Sequence, residues 1–267
     1  MATPQVWNGT SWTALTKAKA RYYNGSTWVE PSDIKYWTGS TWASVFPAVG
    51  TVALRASGSN NVNTTNSIGV TIPASTQVGD LMVLVVAQNS NLTTLFNSIS
   101  GWTKQAEERA GAAAYTFAIY TRLAQGGDAS STVTATSANT ANMTAQVRVF
   151  SGVNQSSPLD AAVLTDELAT AGTTASAPAV TIATAGSMIM TVYGIPATAN
   201  TTLTGADWTD PGGFSNELAT CTNNTDINPA LVSYTKSAVA TGSDGPFAVT
   251  STQSKRWSLA TIAIRPA

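Results

Sequence analysis

Gly79-Asp80-Leu81-Met82-Val83-Leu84-Val85-Val86 is answered further along by Gly186-Ser187-Met188-Ile189-Met190-Thr191-Val192-Tyr193. Each is a short apolar run behind a glycine turn, the pattern of a strand covered on both faces. Three more matches follow in the same order. Gly101-Trp102-Thr103 matches Asp207-Trp208-Thr209, and Tyr120-Thr121-Arg122 matches Tyr234-Thr235-Lys236. Gln146-Val147-Arg148-Val149-Phe150 matches Thr261-Ile262-Ala263-Ile264-Arg265. The offsets are 186 − 79 = 107, 208 − 102 = 106, 234 − 120 = 114 and 261 − 146 = 115, so order is kept and one connection grows by about eight residues. Four ordered matches read as an internal duplication, about 51–155 and 156–267.

Around these anchors β-branched runs alternate with Gly, Asn, Ser and Pro clusters, and no segment beyond residue 50 has a clear 3.6-residue period. The pattern predicts an all-β, jelly-roll-like sandwich. Strands are expected at 51–57, 68–72, 80–88, 115–123, 131–136, 144–150, 160–165, 179–183, 187–193, 231–236, 247–251 and 258–264. The stretch 103–114, with Lys104, Glu107, Glu108 and Arg109, reads as a loop in preference to a short helix. The halves could be two small sandwiches or interleave into one. Few large aliphatics per half favour one fold closed on a shared core.

Residues 1–46 differ in kind. Val6-Trp7-Asn8-Gly9-Thr10-Ser11-Trp12, Tyr22-Tyr23-Asn24-Gly25-Ser26-Thr27-Trp28 and Tyr36-Trp37-Thr38-Gly39-Ser40-Thr41-Trp42 repeat one theme, and hold five of the eight tryptophans. Asn-Gly between aromatics predicts hairpins with type I′ turns and facing aromatic pairs. Isolated hairpins are marginal. Trp7, Trp12, Tyr23, Trp28, Trp37 and Trp42 are therefore expected to bury against an assembly or sister chains. A self-packed β-meander is the plainer alternative. Phe46-Pro47-Ala48-Val49-Gly50 reads as the linker, and the second domain spans 49–267.

Composition narrows the function. Charged residues are 10% of the 267 and hydrophobic ones 43%, against roughly 25% charged in ordinary domains. Net charge is −1. The cations of Lys17-Ala18-Lys19-Ala20-Arg21 read as a solvated link between hairpins, and no nucleic-acid partner is expected. The longest apolar run, 81–87, is too short to span a bilayer, and the first residues lack a secretory signal. There is no histidine and one cysteine, Cys221, which reads as a small packing residue.

That inventory removes Ser-His and Cys-His pairs and histidine metal ligands, and no enzyme or cofactor is expected. Paired carboxylates are the one catalytic possibility, among Glu107, Glu108, Asp166, Glu167, Asp207, Asp210 and Glu217. Most fall in expected loops, where acids are ordinarily solvated turn-formers. Asp128 and Asp244 sit at matching turns, one acid each, too few for calcium. Trp102 and Trp208 are candidate glycan contacts, although their repetition favours a shared packing role, as for Trp257.

The aromatic repeats resemble those of actinobacteriophage minor tail proteins. The Gly-Asp-Leu run, Gly-Trp-Thr, Tyr-Thr-Arg and Phe150-Ser151-Gly152-Val153 with Pro158-Leu159-Asp160-Ala161 resemble a β-sandwich module of phage appendages and some bacterial surface proteins. The resemblance implies a virion structural protein, often trimeric. It would be made in the host cytoplasm, anchored by its amino-terminal repeats, and display a sandwich for assembly or host-surface adsorption. Its partners would be other virion proteins, sister chains and a host surface glycan. Collagen-like tracts common in longer tail proteins are absent, which leaves a capsid decoration, a head fibre or a carbohydrate-binding adhesin as alternatives.

Overall fold

The computed structural model describes residues 5–7, 12–14, 22–23, 26, 28–29, 35–37, 42–44, 50–90, 95–109, 115–196, 205–220 and 229–267. The chain divides into two compact units, Met1–Val49 and Gly50–Ala267. In the first, β1 (Gln5–Trp7) pairs with β2 (Trp12–Ala14), β3 (Tyr22–Tyr23) with β4 (Trp28–Val29), and β5 (Lys35–Trp37) with β6 (Trp42–Ser44). All three pairs are antiparallel, and the innermost partners are Trp7↔Trp12, Tyr23↔Trp28 and Trp37↔Trp42. The three expected hairpins are present with one shared register. The residues between these partners, on which the type I′ turn inferred from Asn-Gly falls, lie outside the described residues except for Ser26.

The second unit is all β. Its first half contains β7 (Ala53–Thr71), β8 (Leu81–Gln88), β9 (Thr103–Arg109), β10 (Thr116–Leu123) and β11 (Thr132–Ser151), in sheet order β7-β11-β8-β10-β9. Its second half contains β12 (Leu164–Ala177), β13 (Val180–Ile182), β14 (Ser187–Ile195), β15 (Trp208–Thr209), β16 (Ser215–Thr220), β17 (Ala230–Val239), β18 (Gly242–Asp244) and β19 (Phe247–Ile264). Its main sheet runs β12-β19-β14-β17-β16, with β15 beside β19, and β13 pairs with β18 apart from it. The two orders are one permutation, so the duplication holds in topology. Each sheet is built from one half, so the halves do not interleave.

Register corrects one sequence match. Val147 pairs with Leu84 and Thr261 with Thr191. Leu84 and Thr191 correspond at the offset of 107, so Val147 corresponds to Thr261, and 261 − 147 = 114, not 115. A slip of one moves every side chain to the opposite face. Gln146 and Arg148 therefore answer to Ala260 and Ile262.

Every residue of β8 and of β14 is buried. One face of each packs at a seam between the halves. Leu81, Val83, Val85 and Phe150 share that cluster with Met188, Met190, Val192 and Ile262. Strand β7 lies against β16, β11 against β17, and β9 against β12, a pseudo-two-fold stacking. The other face of each sheet is covered by its own half. Residues 143–150 of β11 pair with β8, whereas 132–136 pair only with β7 and join Ile68 and Val70 over Met82, Leu84 and Val86. In the second half Ala175, Ala177, Phe247 and Val249 cluster with Ile189 and Tyr193. Three pairs of expected strands are thus single long strands, Ala53–Thr71, Thr132–Ser151 and Phe247–Ile264. Their Asn, Ser and Thr clusters mark where a strand passes from one layer to the other, with register shifts near Thr136, Ala141 and Met143.

Four strands were missed, the short β15 and β18 and the two edges named next, and the strand expected at 160–165 runs from Leu164 to Ala177. Thr103–Arg109 is β9, whose charged side chains suit an edge, and Ser215–Thr220 is β16. Among the described residues no helix is long and apolar enough to cross a membrane.

The seam is also polar. Thr144 Oγ1 donates to Pro229 O at 2.6 Å, and Gln146 Nε2 to Leu231 O at 3.0 Å and Thr220 Oγ1 at 2.9 Å. Arg148 donates to Ser233 O at 2.8 Å, to Ser233 Oγ at 2.7 Å and to Asn216 O. Burial lowers the Arg148 pKa to about 10, so it stays charged at neutral pH. The segment joining the halves is pinned by Asp160, which accepts from Ala183 N at 2.6 Å and Thr184 N at 3.1 Å and from Arg265 Nε at 3.0 Å. Burial alone would raise its pKa; the hydrogen bonds from Thr184, Ala183 and Arg265 outweigh it and hold the pKa below the usual value.

Two outcomes follow from this packing. A Cβ on Gly194 would stand 1.8 Å from the Tyr115 hydroxyl across the seam. Gly194→Ala should therefore cost about 1–3 kcal/mol in chemical denaturation, as overpacking does. The cost should shrink in a Tyr115→Phe background; an equal cost in both would show that the contact is not the cause. Asp160→Asn should lose about 1–3 kcal/mol at pH 7. A depressed carboxylate pKa stabilises above the unfolded value of roughly 4 and is lost as pH falls through the folded value. Wild-type and variant thermal curves should accordingly converge in acid, and a gap that persists there would contradict the assignment.

Candidate functional site

Of the residues singled out in the sequence, the six hairpin aromatics are brought together in three equivalent pairs at the backbone level. Their side chains, and Cys221, lie outside the described residues.

The carboxylates are mostly occupied by structure. Glu107 Oε1 accepts from Leu95 N and, at 3.2 Å, from Phe96 N, while Oε2 meets Lys104 Nζ at 2.7 Å. It tethers the 95–96 segment to β9. Glu108 Oε2 accepts from Thr165 Oγ1 at 2.8 Å, a bond across the two halves. Asp166 accepts from Glu167 N at 2.8 Å, and Asp207 from Thr252 Oγ1 at 2.8 Å. Glu107, Glu108, Arg109 and Glu167 line a hollow of about 230 Å³. Asp210 and Glu217 approach each other on the surface. Burial first, then the Asp210 charge and a hydrogen bond with it, raise the Glu217 pKa. Both lie on exposed residues, without the enclosed pocket that holds a reacting bond between two acids.

Asp128 and Asp244 do form a repeated device, each in an ion pair. Arg122 Nη2 reaches both oxygens of Asp128 at 3.0 and 3.1 Å, and Lys236 Nζ reaches those of Asp244 at 2.9 and 2.7 Å. Asp128 also accepts from Gln125 N at 2.6 Å, the turn role read from sequence. Asp80 likewise accepts from Gln77 N at 2.8 Å and pairs with Arg55 Nε at 2.6 Å. The cationic halves of these pairs were missed. The Tyr-Thr-Arg and Tyr-Thr-Lys matches, each followed by a matched Asp, were the available signal. Among the described residues no group of three or more His, Cys, Asp or Glu converges on a point.

The tryptophans are packing residues. Trp102 and Trp208 are 9% and 6% exposed and belong to the covered cores of their halves. Trp208 meets Trp257 edge-on at 5.4 Å and 85°. Neither offers a free indole face, so the sugar-stacking role considered for them is not supported. Trp102 does border an open cleft of about 420 Å³, with Arg122, Asp128 and the Ser/Thr residues of the 98–100 and 131–136 stretches. A second open cleft of about 470 Å³, bounded by Gln105, Thr121, Ser156 and Ser157, lies on the other side of Arg122. Sequence reasoning missed both, because their walls come from segments distant in sequence.

No protein-family model, curated protein or solved structure matches this chain.

With each turn aspartate bonded to its own cation, neither millimolar calcium nor a chelator should move the melting temperature. A calcium-dependent rise would reveal a bound ion by mass action and overturn the ion-pair assignment.

Proposed function

We propose that this chain is a non-enzymatic structural protein of a phage particle, a minor tail protein or a tail-tip or fibre component. Its amino-terminal hairpins attach it to the particle, and the duplicated sandwich is displayed for assembly or host-surface adsorption. The observation that carries the reading is the identical register of three aromatic-paired hairpins, in a unit separate from a sandwich that already has its own core. Short two-stranded pieces of this kind gain stability by burying their aromatic pairs against something further. The resemblance of the repeats to those of actinobacteriophage minor tail proteins supplies the partner class. The fate of the acids supports a role without chemistry, since most are bonded to backbone amides, hydroxyls or cations of the fold. Neighbouring virion proteins and sister chains are the partners this role requires.

A particle assembled with a chain lacking residues 1–46 tests the anchor. The shortened chain should keep the cooperative melting of the sandwich and be missing from purified particles. Trp12→Ala, Trp28→Ala and Trp42→Ala together should weaken incorporation in the same direction. Normal incorporation of the shortened chain would overturn the anchoring role.

A further inference from the structure

The duplication supplies an internal comparison for the cleft beside Trp102. In each half a turn aspartate is paired with a cation from the adjacent strand, Asp128 with Arg122 and Asp244 with Lys236. At the register offset of 114 between β11 and β19, Phe247 answers to Val133 on the wall of that cleft. In the second half that place is filled. Phe247 is 5% exposed, its ring meets Phe214 at 5.0 Å and 67°, and Lys236 Nζ lies 5.8 Å over it. Phe214 belongs to the turn between β15 and β16, whereas Trp102 runs straight into β9 without such a turn. In the first half the smaller Val133 leaves an open cleft of about 420 Å³, within the roughly 300–1,000 Å³ of small-molecule sites.

The walls of the open copy are specific in chemistry. Ser98, Ser100, Ser131, Thr132, Thr134 and Thr136 provide hydroxyls that both donate and accept. Asp128 offers carboxylate lone pairs, and Arg122 has a buried Nε with no hydrogen-bond partner. Ile72, Ile99 and the rim of Trp102 add apolar surface. The Arg122–Asp128 pair is neutral in sum, so the cleft carries no net charge to hold an anion. Alternating donors and acceptors beside apolar patches match the hydroxyls and C–H faces of a sugar ring.

We infer that the hydroxyl-lined cleft beside Arg122 and Asp128 in the first half is a binding site for a neutral saccharide, and that its aromatic-filled counterpart in the second half is not. This deepens the display role proposed above and rests on it. Particle incorporation tests the anchor separately, so either reading can fail alone.

The full-length protein would be screened on an array of neutral and acidic oligosaccharides. The best neutral binder would then be titrated in solution against three chains. Thr134 is exposed and lines the cleft, so Thr134→Phe should fill it and weaken binding at least ten-fold without changing the melting temperature. Ala248 lies at the register offset in the second half, 248 − 134 = 114, and is likewise exposed, so Ala248→Phe should leave binding intact. Amide shifts in the unsubstituted chain should centre on Ser98, Ser100, Thr132 and Thr134. No binder on the array, binding confined to acidic sugars, or full affinity in Thr134→Phe would each overturn the inference.

Discussion

Two strands whose every residue is buried, Leu81–Gln88 and Ser187–Ile195, set the terms for everything around them. A strand buried on both faces needs two covers, and a single small sheet supplies neither. One cover is the other half of the chain, met at the seam through Leu81, Val83, Val85, Met188, Met190 and Val192. The other must come from within the same half. That demand explains strands of 18 to 20 residues, several times the usual five or six. The far ends of such strands leave the sheet and lie over the face the seam does not reach. Duplication and long bent strands are thus two answers to one burial problem.

The seam also shows how far the two copies have diverged. Gln146 and Arg148 on one side correspond to Ala260 and Ile262 on the other, while Ile119 corresponds to Ser233. Polar groups from the first half therefore meet backbone and hydroxyl acceptors of the second. The Arg148 guanidinium is held by Ser233 and by the Asn216 carbonyl, with no carboxylate among these partners. An uncompensated buried charge is costly when displaced. A slide of the halves would break these bonds, so the arrangement favours one register at the seam. The apolar stripe alone, being non-directional, would not.

What the sequence disclosed follows from the same physics. The central strands were legible because total burial leaves an unbroken apolar run, and the hairpins because their aromatics repeat at nearly fixed spacing. The long strands were not, because their middles are rich in Asn, Ser and Thr, residues that equally suit loops. The charged edge β9 looked like a loop because edge strands need no apolar alternation. The match between Gln146–Phe150 and the last strand was one residue out, since similar apolar residues on both faces hide the phase until pairing is seen. Among the candidate site residues, Asp128 was placed correctly in its turn, Asp244 instead ends strand β18, and the cations were not paired to either. The cleft beside Arg122 could not be read at all, because openness is the absence of a side chain that the other half happens to carry.

Surface chemistry separates the tasks of the two units. Among the described residues the one large hydrophobic side chain standing exposed is Val78. Protein contacts that last are built on a desolvated apolar centre with aromatic anchors, and the described surface of the sandwich has no such centre. Under the proposed role, durable attachment then falls to the hairpin unit, where the aromatics are concentrated. The described surface of the sandwich offers hydroxyls, amides and ion pairs, contacts that are individually weak. Under that role, with several copies on one particle, weakness of this kind would be no handicap. Simultaneous contacts there convert modest single-site affinity into avidity, while each remains free to exchange.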